Sequence, residues 1–390
     1  MTAAAGTGFS VPIGPACPAL YVVGVQGTGQ SSLTADPLAD TGLVGALIGP
    51  VVSAVPGLVQ RSYIPYGAGF GGVVPGGSVD PYVVSVTDAR ARLDAAFSEI
   101  ASACPSTLVA GVAYSQGAQA MASLARDVGA GAGPVGAERV AGIALYANPE
   151  RAPGAPVLPG RPGQSTPDPA PGTSGGAVAG VHLSSKSVPG SGIAETNADY
   201  GALTGRVADI CDDGDLACSA PDRAALLRFG AELFAQADLR NPLAALGSVN
   251  TGLHAALNGA WTAVILNDIQ LAPGGVAYLP QQSLAERIIA AADPRLPTPT
   301  AEDTAAANAR WAEITATLAA APLAIPAFVG QLAAGWARLV ADNADLINPA
   351  VWLRFADTVA RHNGYALSGQ LDAGIAWLIA LANDIAGRYR

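Results

Sequence analysis

The sequence predicts an α/β protein of three layers, built on a central parallel sheet, with a block of helices inserted late in the chain. Three observations carry this expectation. The short, unbroken apolar runs Ala19–Val25 (ALYVVGV), Leu108–Val112 and Val140–Ala147 (VAGIALYA) suit strands buried on both faces of a parallel sheet. Between them, Asp80–Ala103 repeats its apolar residues at helical spacing (Val83, Val86, Leu93, Phe97, Ile100). From about Ala220 to Arg361, helix-start signals follow one another with no such strand run.

Bulk properties narrow the class. The 390 residues allow a large core and two domains. Half of the residues are hydrophobic and 13% are charged, as in a globular chain. A net charge of −10 argues against a nucleic-acid partner and against a polybasic membrane anchor. The single lysine, Lys186, does not follow a glycine-rich turn, which excludes a P-loop. The uncharged stretches Thr41–Gln60 and about Ile314–Ala337 are each interrupted by two prolines, so no transmembrane segment is expected.

Taken in order, the first strand (Ala19–Val25) runs into Gln26-Gly27-Thr28-Gly29-Gln30-Ser31-Ser32. This G-x-G-x-x-S lacks the third glycine of a dinucleotide fingerprint. Thr41–Gly77, rich in Gly, Pro and Val, reads mostly as loop with short elements, and Tyr63–Tyr66 as the end of a sheet strand. Asp80-Pro81 opens the helix that runs to Ala103. A strand from Leu108 then breaks sharply at Ala113-Tyr114-Ser115-Gln116-Gly117, and a helix of small residues follows to about Asp127, ended by the GAGAGP stretch from Gly129. The strand Val140–Ala147 ends in Asn148-Pro149, and Glu150–Gly180 reads as an irregular surface loop. Val207–Ile210 is a strand entering an acidic turn bracketed by Cys211 and Cys218. In the late block, Ser219–Pro221 is expected to begin one helix, Ser283-Leu-Ala-Glu286 is a capping box, Thr300 starts another helix, and Asn348-Pro349 starts the one that delivers His362. Its four tryptophans (Trp261, Trp311, Trp336, Trp352) are read mainly as its own core. Leu371, Ile375, Leu378, Leu381 and Ile385 mark a last amphipathic helix.

The chemistry-bearing residues fall at the breaks. Strand, sharp turn and helix around Ser115 form the context of a nucleophile elbow, in which the residues two before and two after must be small. Here they are Ala113 and Gly117, giving A-x-S-x-G. Asp212, Asp213 and Asp215 compete for the role of an orienting acid. The histidines are His182, His254 and His362. His182 precedes the acidic turn, contrary to the order Ser, acid, His. His254 has the helical spacing of a packed or surface residue, and His362 opens His362-Asn363-Gly364-Tyr365. Four cysteines without C-x-x-C spacing and only three histidines argue against a structural zinc site, and no metal or organic cofactor is expected.

With Cys104-Pro105 upstream, Tyr114-Ser115-Gln116-Gly117-Ala118 resembles the elbow of the cutinase-like serine esterases, and three further blocks fit that family in order. The resemblance implies an α/β-hydrolase fold over residues 1–219 and 355–390, with 220–354 a helical insertion suited to a lid or substrate wall. It implies disulfides Cys17–Cys104 and Cys211–Cys218, and hence a secreted or cell-envelope protein. The N-terminal stretch shows no basic region or apolar h-region, and the cysteines favour a chain that starts after an export signal was removed. The family pattern C-x-x-G-D-x-x-C selects Asp215 as the acid, and H-x-x-Y selects His362. Thr28 matches the loop residue that supplies part of the oxyanion hole, beside the backbone N–H of Gln116. The chain departs from the family at Ala113, at Gln26 in place of the usual arginine, and in the displaced histidine. A similar insertion occurs in phage lysin B enzymes, which cut mycolyl esters. The expected reaction is hydrolysis of a lipid or polyester carboxylic ester by a monomer, through Ser115, His362 and Asp215. Alternatives are a mycolyl glycolipid esterase or lipase of the same mechanism, and an envelope lipid-binding protein on an inactive hydrolase scaffold.

Overall fold

A computed structural model describes residues 9–184, 187–196, 199–272 and 275–388. Lys186 and the first eight residues lie outside the described residues. The chain divides into two units, Met1–Ala220 with Leu353–Arg390, and Pro221–Trp352.

In the first unit the apolar runs become the parallel strands β1 (Leu20–Val25), β2 (Val59–Tyr63), β3 (Leu108–Tyr114), β4 (Val140–Tyr146) and β5 (Val207–Ile210), in the sheet order β2-β1-β3-β4-β5. All residues of β1, β3, β4 and β5 are buried, which explains why these runs are apolar on both alternating faces. One face is covered by α2 (Tyr82–Ala103) and α3 (Gln116–Gly129), whose Leu93, Phe97, Met121 and Leu124 pack on Val23, Val25 and Ile143. The other is covered by α1 (Gly42–Ala54) and the C-terminal helix Gln370–Gly387, whose Trp377, Leu378 and Leu381 join Leu47, Ile48 and Tyr146. These are the three layers that the sequence predicts.

Helix α1 corrects the expectation that Thr41–Gly77 is mostly loop. It keeps Pro50 inside, and its burial of Leu43, Val44, Leu47, Ile48 and Val51 on the sheet outweighs the weak helix preference of a Gly/Pro-rich stretch. Strand β2 ends at Tyr63, inside the Tyr63–Tyr66 segment where the sequence places a strand end. After β5, Asp215 caps the short helix α4 (Leu216–Ser219).

The second unit carries α5 (Ala225–Ala235), α6 (Pro242–Ala263), a π-helical turn, the hairpin β6 (Ile269–Ala272) and β7 (Gly275–Tyr278), α7 (Leu284–Ala292), α8 (Ala301–Ala320), α9 (Ile325–Ala341) and α10 (Pro349–Leu353), the last ending across the unit boundary. The first helix starts at Ala225, later than Ser219–Pro221. The capping boxes at Ser283–Glu286 and Thr300–Asp303 are formed. The hairpin corrects the expectation of an all-helical insertion: Ile269, Val276 and Tyr278 are buried with Ile265, Ile314 and Phe328, and tertiary burial decided what a short apolar run alone leaves open. The tryptophans are likewise not core. Trp261 and Trp311 make an edge contact at 5.0 Å between centroids, both are more than a third exposed, and Trp336 is 64% exposed. Asp268, fully buried, is held by two hydrogen bonds from Arg287 (2.7 and 3.0 Å). The two ends of the unit are stapled to each other: the Asp345 N–H donates to the Arg223 carbonyl (3.0 Å), and the Asp345 carboxylate accepts from Arg223 Nη2 (2.8 Å) and the Arg223 N–H (3.1 Å). By length and composition, Pro322–Ala341 is apolar enough to cross a membrane, and most of its window is exposed.

Two features of the first unit make testable demands. A Cβ on Gly117 would lie 2.5 Å from the backbone carbonyl oxygens of Val25 and Gln26, so strand and helix close on each other only over a glycine. Gly117→Ala is expected to lower unfolding free energy by about 1–3 kcal/mol in urea titrations. Gly180→Ala, with nothing within 4 Å, should change it by less than about 0.5 kcal/mol. Asp209, on β5, accepts from Asn148 Nδ2 at 2.9 Å through one oxygen, while the other has no hydrogen-bond partner among the described residues. Burial outweighs the Asn148 bond and the nearby Arg151 and Arg126, and pushes its carboxyl up to about 6. Because the folded state holds this proton more tightly than the unfolded chain does, the contribution is full below the ordinary carboxylate range and is lost as pH rises through about 6. Asp209→Asn is therefore expected to stabilise the protein by about 1–3 kcal/mol at pH 8, with the gain shrinking towards pH 4; a pH-independent difference would contradict the reading.

Candidate active site

The site is built at the C-terminal ends of β3 and β5. Ser115 sits between β3 and α3 with φ 53° and ψ −119°, a backbone conformation that a residue with a Cβ adopts only where its surroundings enforce it. They do so here: the Ser115 N–H donates to the Tyr146 carbonyl (2.8 Å), the Gln119 N–H donates to the Ser115 carbonyl (3.1 Å), and Gly117 is pressed on β1. The turn leaves Ser115 8% exposed.

Asp215 comes from the turn after β5, closed by the Cys211–Cys218 disulfide with Cα atoms 5.9 Å apart. The second disulfide joins Cys17 to Cys104 (5.6 Å), so both pairings implied by the resemblance are present and no cysteine is free. The Asp215 carboxylate is 1% exposed, and a charge so buried needs a full set of donors. Oδ1 accepts from the Ala217 N–H (3.0 Å), Oδ2 accepts from the Tyr365 hydroxyl (2.8 Å), and His362 Nδ1 lies 3.0 Å from both oxygens. A carboxylate can only accept, so Nδ1 carries the imidazole proton. His362 Nε2, 3.0 Å from Ser115 Oγ, is then left to accept the serine hydroxyl. Of the sequence candidates, Ser115, Asp215 and His362 are thus brought into one hydrogen-bonded line. Asp212 and Asp213 stay on the outer side of the turn, where Asp213 pairs with Arg354. His182 is exposed and bonded to Thr166 Oγ1 (3.1 Å), and His254 is an exposed residue of α6.

The segment that returns His362 is α11 (Thr358–Asn363), and the C-terminal helix is α12 (Gln370–Gly387). Several bonds dock α11 on the acid turn and the elbow. Thr358 Oγ1 accepts from the Leu216 N–H (2.8 Å), Arg361 Nη1 donates to the Asp213 carbonyl (2.7 Å), and the Tyr114 hydroxyl donates to the His362 carbonyl (2.7 Å). Tyr365 is fully buried, its phenol pushed well above its ordinary range by burial and then by Asp215, so it remains a donor. The sequence patterns contain Tyr365, in H-x-x-Y, and Tyr114, in the elbow, without a role for either, and they point to neither Thr358 nor Arg361.

The loop after β1 lies against the nucleophile. A Cβ on Gly27 would stand 2.7 Å from the Tyr114 ring and 3.2 Å from Ser115 Cβ, and this close approach brings the Thr28 segment to the elbow. Gln26, which replaces the family's arginine, donates to the Thr41 carbonyl and accepts from the Val44 N–H (3.3 Å), tying the loop to α1. Gln116 opens α3 and its side-chain amide donates to the Gly69 carbonyl (2.9 Å). Among the described residues, no group of three or more His, Cys, Asp or Glu side chains is placed to hold a metal ion.

Comparison with known proteins bears on this arrangement. The family model for cutinase matches residues 16–227, more than half of the chain. A protein of Corynebacterium glutamicum described as a carboxylesterase Culp6 homolog is 28% identical over 221 residues, which cover 53% of this chain and 66% of that relative, just under two thirds of its length. The catalytic core domain of acetyl xylan esterase from Trichoderma reesei is similar over 60% of this chain and 99% of its own, at 22% identity and a TM-score of 0.36. The lysin B of a mycobacteriophage is similar over 60% of this chain and 89% of its own, at 19% identity and a TM-score of 0.36. With its elbow serine at the end of β3 and a cutinase-model match across all five strands, the chain belongs to the cutinase family of serine carboxylic ester hydrolases.

Proposed function

We propose that the protein is a secreted or cell-envelope esterase that hydrolyses lipid or polyester carboxylic esters with Ser115, His362 and Asp215 as its triad. The single observation that carries the reading is the unbroken line from Ser115 Oγ through the His362 ring to Asp215, with 3.0 Å at each contact. His362 Nε2 takes the proton as Ser115 Oγ attacks the ester carbonyl, and Asp215 stabilises the imidazolium and holds its tautomer. The Gln116 backbone N–H and Thr28 stabilise the tetrahedral oxyanion. Collapse expels the alcohol, protonated by His362, and leaves an acyl group on Ser115. Water, deprotonated by the same imidazole, then releases the acid and restores the serine. Two disulfides support export.

An apolar substrate is supported by the second unit, where Leu323 (95% exposed), Val329, Trp336 and Val340 turn outward on and beside α9. On that ground, and because it is spliced between acid and histidine in the chain, we assign the insertion the part of a lid or substrate wall. Mycolyl glycolipid and acylglycerol esters fit the same mechanism.

Ser115→Ala and His362→Ala are each expected to lower kcat/KM on a short p-nitrophenyl ester by about a thousandfold or more, because members of a triad act as a unit. His254→Ala should stay within about twofold of wild type. A fluorophosphonate should label Ser115 in the wild type alone. Wild-type activity in Ser115→Ala, or failure of the wild type to label, would overturn the reading in favour of a lipid-binding protein on an inactive scaffold.

A further inference from the structure

Tyr365 stands three residues beyond His362 and touches no reacting atom, yet its hydroxyl is fixed from two sides. It accepts the Asp212 N–H (3.0 Å) and donates to Asp215 Oδ2 (2.8 Å), with Cys218 Sγ 3.4 Å away. Its ring is held edge-on by Tyr114 (6.2 Å between centroids) and Tyr146 (5.9 Å). The phenol therefore cannot turn away from the carboxylate without giving up the Asp212 bond and the packing of both rings. We propose that Tyr365 is a positioning residue of the esterase reaction, which locks the Asp215 carboxylate in the plane that serves both oxygens to His362 Nδ1 and draws off part of its negative charge. The proposal rests on the triad reading above and adds to it a group that sets how strongly the acid holds the imidazolium.

The physical consequence has a sign. A hydrogen bond to a carboxylate spreads its charge, so the partner imidazole feels less of it. Without the phenol, Asp215 holds the imidazolium proton to higher pH, and the acidic limb of the pH–rate profile moves up. A stronger donor at the same place moves the limb down. The other groups facing this pair stay unchanged in either case: the Tyr114 ring stands 5.1 Å from the His362 ring, Asp213 is paired with Arg354 and bonded through its carbonyl to Arg361, and Asp212 lies 4.0 Å from Arg361.

The test measures kcat, KM and the rate of fluorophosphonate labelling of Ser115 from pH 5 to 9 in the full chain. Tyr365→Phe keeps the ring packing and removes only the hydroxyl. It should lower kcat by about tenfold with KM within about twofold, and raise the acidic limb by about half a pH unit. Replacement of Tyr365 by 3-fluorotyrosine, a stronger donor of nearly the same shape, should shift the limb the opposite way. Tyr146→Phe is the control: it deletes a buried phenol of the same cluster whose nearest acceptor is the Gln370 carbonyl (3.5 Å), and it should leave the limb in place. An unmoved limb in Tyr365→Phe, whatever its rate, or an equal shift in Tyr146→Phe, overturns the proposal. Should Tyr365→Phe fail to fold, the fluorotyrosine variant decides alone, and an unmoved limb there overturns it. If the wild type does not label at Ser115, the triad reading fails and this proposal falls with it. Labelling with unmoved limbs removes only the role of Tyr365.

Discussion

A carboxylate that is almost wholly removed from water governs the architecture of the site. Asp215 is 1% exposed, and an ion in that position is tolerable only if its lone pairs meet donors held in fixed directions. Three come from three kinds of structure: a backbone N–H at the start of α4, a phenol from the segment after α11, and the imidazole of His362. The disulfide between Cys211 and Cys218, seven positions apart in sequence, keeps the turn short, so that the acid and its first donor stay together. What reaches the acid from far along the chain does so because the acid must be satisfied.

Ser115 meets this assembly through a second constraint, the closeness of strand and helix at the elbow. Gly117 on the carbonyls of Val25 and Gln26, and Gly27 on Tyr114 and Ser115, are both contacts in which a Cβ has no room. They force the serine into a left-handed backbone conformation and press the Thr28 loop towards it. Ala113, where the family pattern has glycine, is fully buried, and the strand accommodates its methyl group. The strain at one residue is held by the sheet on one side and by α3 on the other, a division of labour suited to a group that must keep one orientation.

The second unit follows its own logic. It has a small core around Ile265, Ile314 and Phe328, a buried Asp268–Arg287 pair, and ends fastened to each other by Arg223 and Asp345. An insertion whose ends meet can be accommodated in a loop without separating the residues on either side of it, which is the property a chain needs if its histidine is to follow more than a hundred inserted residues. Several of its apolar side chains, Leu323, Val329, Trp336 and Val340 among them, are exposed.

The sequence by itself determined the sheet and the identity of the reactive candidates, because both are local signals. Unbroken apolar runs read as buried parallel strands, and strand–Ser115–helix, the Cys-bracketed Asp215 and His362-x-x-Tyr365 are short patterns of side-chain types at fixed offsets, which is what a resemblance to a family can pick out. It did not determine α1, whose glycines and proline argue for a loop, since the burial of Leu47 and Ile48 on a sheet is a non-local gain. Nor did it determine the β6–β7 hairpin, because a four-residue apolar run has the same local preference in a strand as in a helix. The exposure of Trp336 and the hydrogen bonds that bring Asp215 and His362 into one line with Ser115 belong to the same class. Only the tertiary structure decided these, and for one physical reason: each depends on which distant surface or donor a side chain meets, and that free energy is not written within any window of neighbouring residues.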